Sequence, residues 1–171
     1  MSGTRPNNRT RGLASAQMPL LDRLIDEAPE RAQDVPAAPA EAQSLLRRSV
    51  QRDLEALLNA RRRWRSWSPS LTQLAVSPLS FGIPDCTGGN FHDPAAGETL
   101  RRDIEDTIRR FEPRFRSVHV SIVHSDNSLE TTLRLRIEAL LQAEPTPEPV
   151  AFDTLVDAVT ASVLVRASGY E

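Results

Sequence analysis

Glu112-Pro113-Arg114 is the tripeptide of this sequence in which charge, hydrogen-bonding capacity and a stiff backbone fall together. Arginine offers a planar fork of donors that fits a carboxylate or a carbonyl, and a nearby glutamate can orient the fork or accept from a second arginine. Proline fixes the backbone between them, so two long charged side chains can project from a rigid corner at little entropic cost. Arg116 extends the same patch. A plainer reading stands beside this one: proline ends a helix and its charged flanks are merely solvated. The residues alone leave both open.

Other chemistry fits less well. Glycoside hydrolysis needs two carboxylates facing each other across a cleft, one of them kept protonated. Glu112 and Glu138 are the acids nearest the expected core, yet Arg114, two residues from Glu112, favours the charged carboxylate and not a general acid. Aromatic residues that could form a sugar platform are few. Cys86, His92, His119 and His124 are the soft metal ligands, and no pair of them has zinc-site spacing. His119 and His124 lie an odd number of residues apart, so on one strand they point to opposite faces. Neither a phosphate-cradling glycine loop nor Gly-x-Ser-x-Gly occurs. No catalytic residue, cofactor or metal is expected.

The elements around the tripeptide are well marked. Leu100, Ile104, Ile108 and Phe111 form the apolar stripe of a helix within the stretch from Gly97, with Asp93-Pro94 as N-cap and first turn. Pro113 stops it and pushes Glu112 toward extended geometry. Val118, Val120 and Ile122 then alternate with His119, Ser121 and Val123, and Leu129, Thr131, Leu133, Leu135 and Ile137 alternate with polar residues. Two half-buried strands joined by Ser125-Asp126-Asn127-Ser128 are expected. Glu144 to Pro149 reads as a stiff connector, Val150 to Val156 as a third strand and Ser162 to Arg166 as a fourth. The expected fold is α+β: one two-layer domain, with two main helices on a small, mostly antiparallel sheet of about four strands.

Upstream, residues 1–40 read as a flexible segment carrying a short amphipathic helix over 18–26, with residues 41–171 as the body. Leu20, Leu21 and Leu24 give the tethered helix an apolar face that either folds back or docks in a partner's groove. A long helix is expected from Glu41 to Arg63, with Leu46, Val50, Leu54, Leu57 and Leu58 inward. Spacing gives Asp53 no distinctive role. Arginines in the last turn would complement the carbonyl end of the helix. The cluster from Arg61 to Trp67 suits a protein contact, since Arg and Trp anchor interfaces. A nucleic-acid contact there is the weaker alternative, because the chain carries a net charge of −2 over its 171 residues.

All basic residues are arginine, and the single cysteine excludes an intrachain disulfide. No run of roughly 18–20 apolar residues is present, so no membrane insertion is expected. The N-terminal arginines have no apolar stretch behind them, which argues against a secretory signal and for the cytoplasm.

The order of segments resembles a family. A helix ending in Glu112-Pro113-Arg114, followed by a strand and then Leu133-Arg134-Leu135-Arg136-Ile137-Glu138-Ala139-Leu140-Leu141, is similar to TssE, the baseplate subunit of type VI secretion systems related to the wedge of contractile phage tails. Leu20-Leu21-Asp22-Arg23-Leu24, Arg52 to Asn59, Phe81-Gly82-Ile83-Pro84-Asp85 and Pro149 to Thr154 follow the family order. The resemblance implies a structural protein that joins TssF and TssG near TssK, under a TssB/TssC sheath, in a cytoplasmic baseplate docked at the inner membrane. It implies that Glu112, Pro113 and Arg114, with Arg116, contact other baseplate subunits, and that a sheet edge templates the sheath by strand addition. The family's historical lysozyme label makes a peptidoglycan-cleaving enzyme the alternative. The long N-terminal linker departs from the family, and so does a last hairpin turn without glycine, which leaves that hairpin's register open.

Overall fold

A computed structural model describes residues 20–25, 30, 39–63, 67–68, 70–87, 93–123, 132–143 and 146–168. Helix α3 (Pro94–Phe111) starts as its residues dictate: the Asp93 carboxylate accepts from the Ala95 N–H at 3.0 Å, and Pro94 occupies the first turn. Leu100, Ile104 and Ile108 are buried, and the Glu112 N–H closes the last turn on the Ile108 carbonyl at 2.9 Å. Two residues past that turn, the chain enters β1 (Phe115–Val123).

Strands β1, β2 (Thr132–Leu141), β3 (Glu148–Asp157) and β4 (Val163–Ala167) form one sheet in sequence order. All three pairings are antiparallel. Val120 faces Ile137, which faces Phe152, and all three side chains are buried. Their neighbours Ser121, Arg136 and Asp153 form a polar row on the open face. Helices α2 (Pro39–Asn59) and α3 cover the other face, where Val50, Leu54, Leu58, Ile104 and Ile108 are fully buried. Strand β2 alternates cleanly, as an antiparallel sheet with one solvated face requires, while Val150, Ala151 and Phe152 of β3 are all buried. The result is a single two-layer α+β domain.

Several boundaries differ from the expectation. Helix α2 ends at Asn59 and does not reach Arg63, because Arg61 bridges to Ile83 in parallel and the Arg62 N–H donates to the Ile83 carbonyl at 2.8 Å. The Ile83 N–H returns the contact to the Ala60 carbonyl at 3.1 Å. Gly82 permits this approach: its φ is +100°, and a Cβ there would sit 2.3 Å from the Ala60 oxygen. Strand β2 continues to Leu141, and β3 begins inside the proline-rich connector. Pro149 is tolerated opposite Leu140 because β4 does not extend that far, so its missing N–H faces no strand. The turn between β3 and β4 places Ala161 at φ 52°, the position where a glycine would be unstrained. Despite that turn, β4 is paired in continuous register from Val163 to Ala167.

Helix α1 spans Leu20–Leu24 and has ended by Ile25; the rest of the expected 18–26 lies outside the described residues, as do most of the linker, Trp64, the turn at 125–128, Leu129, Thr131, His92 and His124.

Candidate functional site: the Glu112–Arg114 corner

Where α3 stops, Glu112 becomes its C-cap, with φ −115° and ψ 80°, and the Phe115 N–H turns back to the Glu112 carbonyl at 3.2 Å. The Gln142 N–H donates to the Arg114 carbonyl at 2.8 Å, pinning the corner to the end of β2. Pro113 is exposed on its outside. The backbone is therefore rigid, held by a proline and by hydrogen bonds on both sides.

The side chains do not both project. Glu112 is turned inward and is only 5% exposed. Its Oε1 accepts from Arg114 Nε at 2.6 Å and from the Arg114 N–H at 3.2 Å, while Oε2 pairs with Arg114 Nη2. The same Nη2 donates to Asp53 Oδ2 at 2.8 Å, and Nη1 donates to Ser49 Oγ at 3.3 Å. The reason is geometric: Ser49 and Asp53 lie one turn apart on α2, beside its apolar stripe, and that helix packs across the corner. Arg114 is thus a clasp between the end of α3 and the middle of α2. Burial works against its charge, but the hydrogen bonds and charges of Glu112 and then Asp53 outweigh that and raise its pKa above the ordinary arginine value.

A second arginine extends the network. Arg52 donates to Asp53 Oδ1 at 3.1 Å, to Ser49 Oγ at 3.3 Å and to Asp22 Oδ1 of α1 at 2.7 Å. The Arg52 hydrogen bond holds the Asp22 carboxyl below its usual range. Asp22, Arg52, Asp53, Arg114 and Glu112 therefore form one chain of charges, with Ser49 under both arginines. Leu21 and Leu24 of α1 remain exposed beside it. Arg116, which lies at the register shift between Phe115 and Ser117 where β1 begins, is exposed as well. Asp53, which spacing left without a role, is the residue that joins the two arginines. The available signal was a polar pair, Ser49 and Asp53, flanking Leu46, Val50 and Leu54.

The remaining candidates resolve individually. Glu138 is exposed on the open face of the sheet, while Glu112 is closed off by Arg114, so the two do not flank a common cleft. Cys86 is buried, and burial raises its thiol pKa. Among the described residues no group of His, Cys, Asp and Glu could hold a metal ion, and no helix is long and apolar enough to cross a membrane. Arg61 donates to the Leu58 carbonyl at 3.1 Å, capping α2 from beyond its end, and the Arg62 guanidinium lies 3.9 Å from Asp103. Neither is arranged as an open phosphate-binding surface. Trp67 is half-buried.

A group that sequence reading passed over lies on α3. Glu105 is 8% exposed and sits between Arg101 and Arg109, one turn to either side. These three side chains occupy the outer edge of β1. Arg109 donates to the Val118 carbonyl at 3.2 Å, Arg101 donates to the Val120 carbonyl at 3.1 Å, and Glu105 accepts from the Val120 N–H at 3.0 Å.

No curated protein and no solved structure matches the chain. The model of the family described as baseplate wedge protein gp25 matches residues 44–146, a span that runs from the first turns of α2 past the end of β2 and contains the whole corner. More than half of the chain is covered. The chain belongs to the baseplate wedge protein gp25 family, the structural baseplate proteins that include TssE.

Proposed function

We propose that this protein is the TssE-type wedge subunit of a type VI secretion baseplate, a non-enzymatic scaffold that works in the cytoplasm on a baseplate docked at the inner membrane. The observation that carries the reading is the corner within the family match: a proline-stiffened turn whose arginine is locked to two elements at once. Such a corner presents Pro113, the outer edge of Arg114 and the exposed Arg116 in fixed positions, so a partner meets a surface with little left to order. The TssF–TssG pair is the partner that the reading assigns to it, with TssK adjacent. Leu20, Leu21 and Leu24 add an apolar contact, consistent with the exposure of Leu21 and Leu24. The TssB/TssC sheath pairs with a sheet edge above. The lysozyme-like alternative draws no support from Glu112, whose carboxylate oxygens are both occupied by Arg114.

The test separates the surface from the clasp. Arg116→Glu and the double substitution Leu21→Ser with Leu24→Ser are compared with wild type for binding to the TssF–TssG pair of the same organism. We expect each variant to melt with wild type, and we expect Arg116→Glu to lose at least tenfold in affinity, as reversal of a contact charge does. Undiminished binding by both variants would remove the corner and α1 from the interface.

A further inference from the structure

From Ser66 to Pro84 the sequence holds no charged residue, the longest such run in a chain of which 26% is charged. Two short 3₁₀ turns, Thr72–Val76 and Pro78–Ser80, occupy the middle of this run. Its side chains are arranged inside out. Ser80 is 2% exposed, whereas its neighbours Leu79 and Phe81 are 44% and 40% exposed, and Leu71 and Val76 stand out by more than half. The serines account for the inversion: the Leu74 carbonyl accepts from the Ser80 hydroxyl at 2.7 Å, from the Ser77 hydroxyl at 2.8 Å and from the Ser77 N–H at 3.3 Å. Hydrogen bonds thus hold polar groups inward and leave the apolar ones in water.

Single exposed leucines are ordinary, but four large apolar side chains within one uncharged surface segment mark a contact. Depletion of charge beside an aromatic is the composition of an interface core, and charges return at its rims in Arg63 and Asp85, both exposed. Phe81 packs edge-on against Phe111 with ring centroids 5.4 Å apart, and Phe111 immediately precedes Glu112. The apolar segment and the corner therefore form one continuous surface. The N–H groups of Leu71, Leu74, Ser77, Ser80 and Phe81 are all bonded within the segment, so a partner meets it through side chains and not through main-chain pairing. A charged partner side chain would lose its water here and meet no counter-charge.

We propose that Leu71, Val76, Leu79 and Phe81 are the main affinity contact for the subunit that meets the corner, and that their occupant is the uncharged, apolar face of a helix of that subunit. The corner then fixes orientation through Arg116. The segment supplies most of the binding energy, by burying apolar surface that is already ordered in the free chain. This chain's own α1 is engaged elsewhere, through Asp22 on Arg52. The inference deepens the TssF–TssG reading above and rests on it.

The experiment measures binding of the full chain to the purified TssF–TssG pair of the same organism. Val76→Asp combined with Leu79→Asp places charge in the segment at exposed positions, and we expect affinity to fall roughly thirtyfold with Tm unchanged. Leu71→Ser with Val76→Ser, a milder change, should weaken binding about tenfold. Val159→Asp, also exposed but in the turn between β3 and β4, should bind as wild type does. The loss in the segment variants should be the same at low and high salt, whereas the loss in Arg116→Glu should shrink as salt rises. Wild-type affinity in both segment variants, with Arg116→Glu still impaired, would overturn this inference and leave the TssF–TssG reading standing. So would a wild-type chain that elutes alone as a dimer while the Val76→Asp, Leu79→Asp variant elutes as a monomer, since a second copy would then be the occupant. No binding by wild type would overturn the TssF–TssG reading itself, and this inference with it.

Discussion

Arg114 reaches Glu112, Asp53 and Ser49, so its removal is felt on both α2 and α3. We expect Arg114→Ala to lose about 3 kcal/mol of stability, because it leaves the nearly buried Glu112 carboxylate unpaired. Urea denaturation against wild type measures this; a change within error would mean that the pair is dispensable. A binding defect in that variant alone is therefore no proof of an interface, whereas one in Arg116→Glu is. Gly82→Ala should be as severe, at about 3 kcal/mol or more, since a Cβ meets the Ala60 backbone and the positive φ is strained as well. Ala161→Gly acts in the opposite direction: relieving a left-handed alanine should add about 1 kcal/mol and raise Tm by about 3 °C. Acid should act through Asp22, Glu98 and Asp157, whose carboxyls lie below their usual range, held there first by Arg52, by Arg101 and by the Val159 N–H respectively. Their folded values lie below the unfolded ones, so their contribution is complete above about pH 4.5 and disappears as pH falls through the folded values. A Tm series from pH 7 to pH 3 should be level at first and fall at its acid end; a rise there would contradict these contacts.

At the scale of elements, local pattern was legible and long-range contact was not. The stripe of Leu100, Ile104, Ile108 and Phe111 and the alternation around Val120 and Ile137 defined α3, β1 and β2, because burial imposes its own period on each. The expected end of α2 differs by four residues, since the helix stops at Asn59 where Ile83 takes the backbone groups of Ala60 and Arg62, a contact that no local propensity records. The inward turn of Glu112 escaped notice for the same reason: Asp53 and Arg114 are 61 residues apart in sequence. The Arg101, Glu105, Arg109 stripe was visible as i, i+4 spacing, but the strand edge it serves was not. Glu105→Ala should lose about 2 kcal/mol and speed amide exchange at Val120, because it leaves the buried Val120 N–H without its acceptor and takes one partner from each of two arginines. Unchanged exchange at Val120 would show that α3 does not seal β1.

The described residues form a small sheet with one open face, two helices on the other, and a charge chain that joins the helices at a proline corner. Order along the chain, read from Leu20 to Thr154, was enough to suggest its family, and the match over residues 44–146 establishes it. Strands β3 and β4 lie beyond that match; both are expected from the residues between Val150 and Arg166, and the structure supplies their pairing. Backbone hydrogen bonds hold the corner at Pro113 and Arg114 in place, and the neutral side chains of Asn59 and Gln51 bond to the edge of β4. The most direct measurement is co-elution of the wild-type chain with the TssF–TssG pair from the same organism on size-exclusion chromatography. We expect a single complex peak containing all three chains at fixed stoichiometry. Elution of this chain alone, with the pair intact beside it, would contradict its assignment as the wedge subunit that joins them.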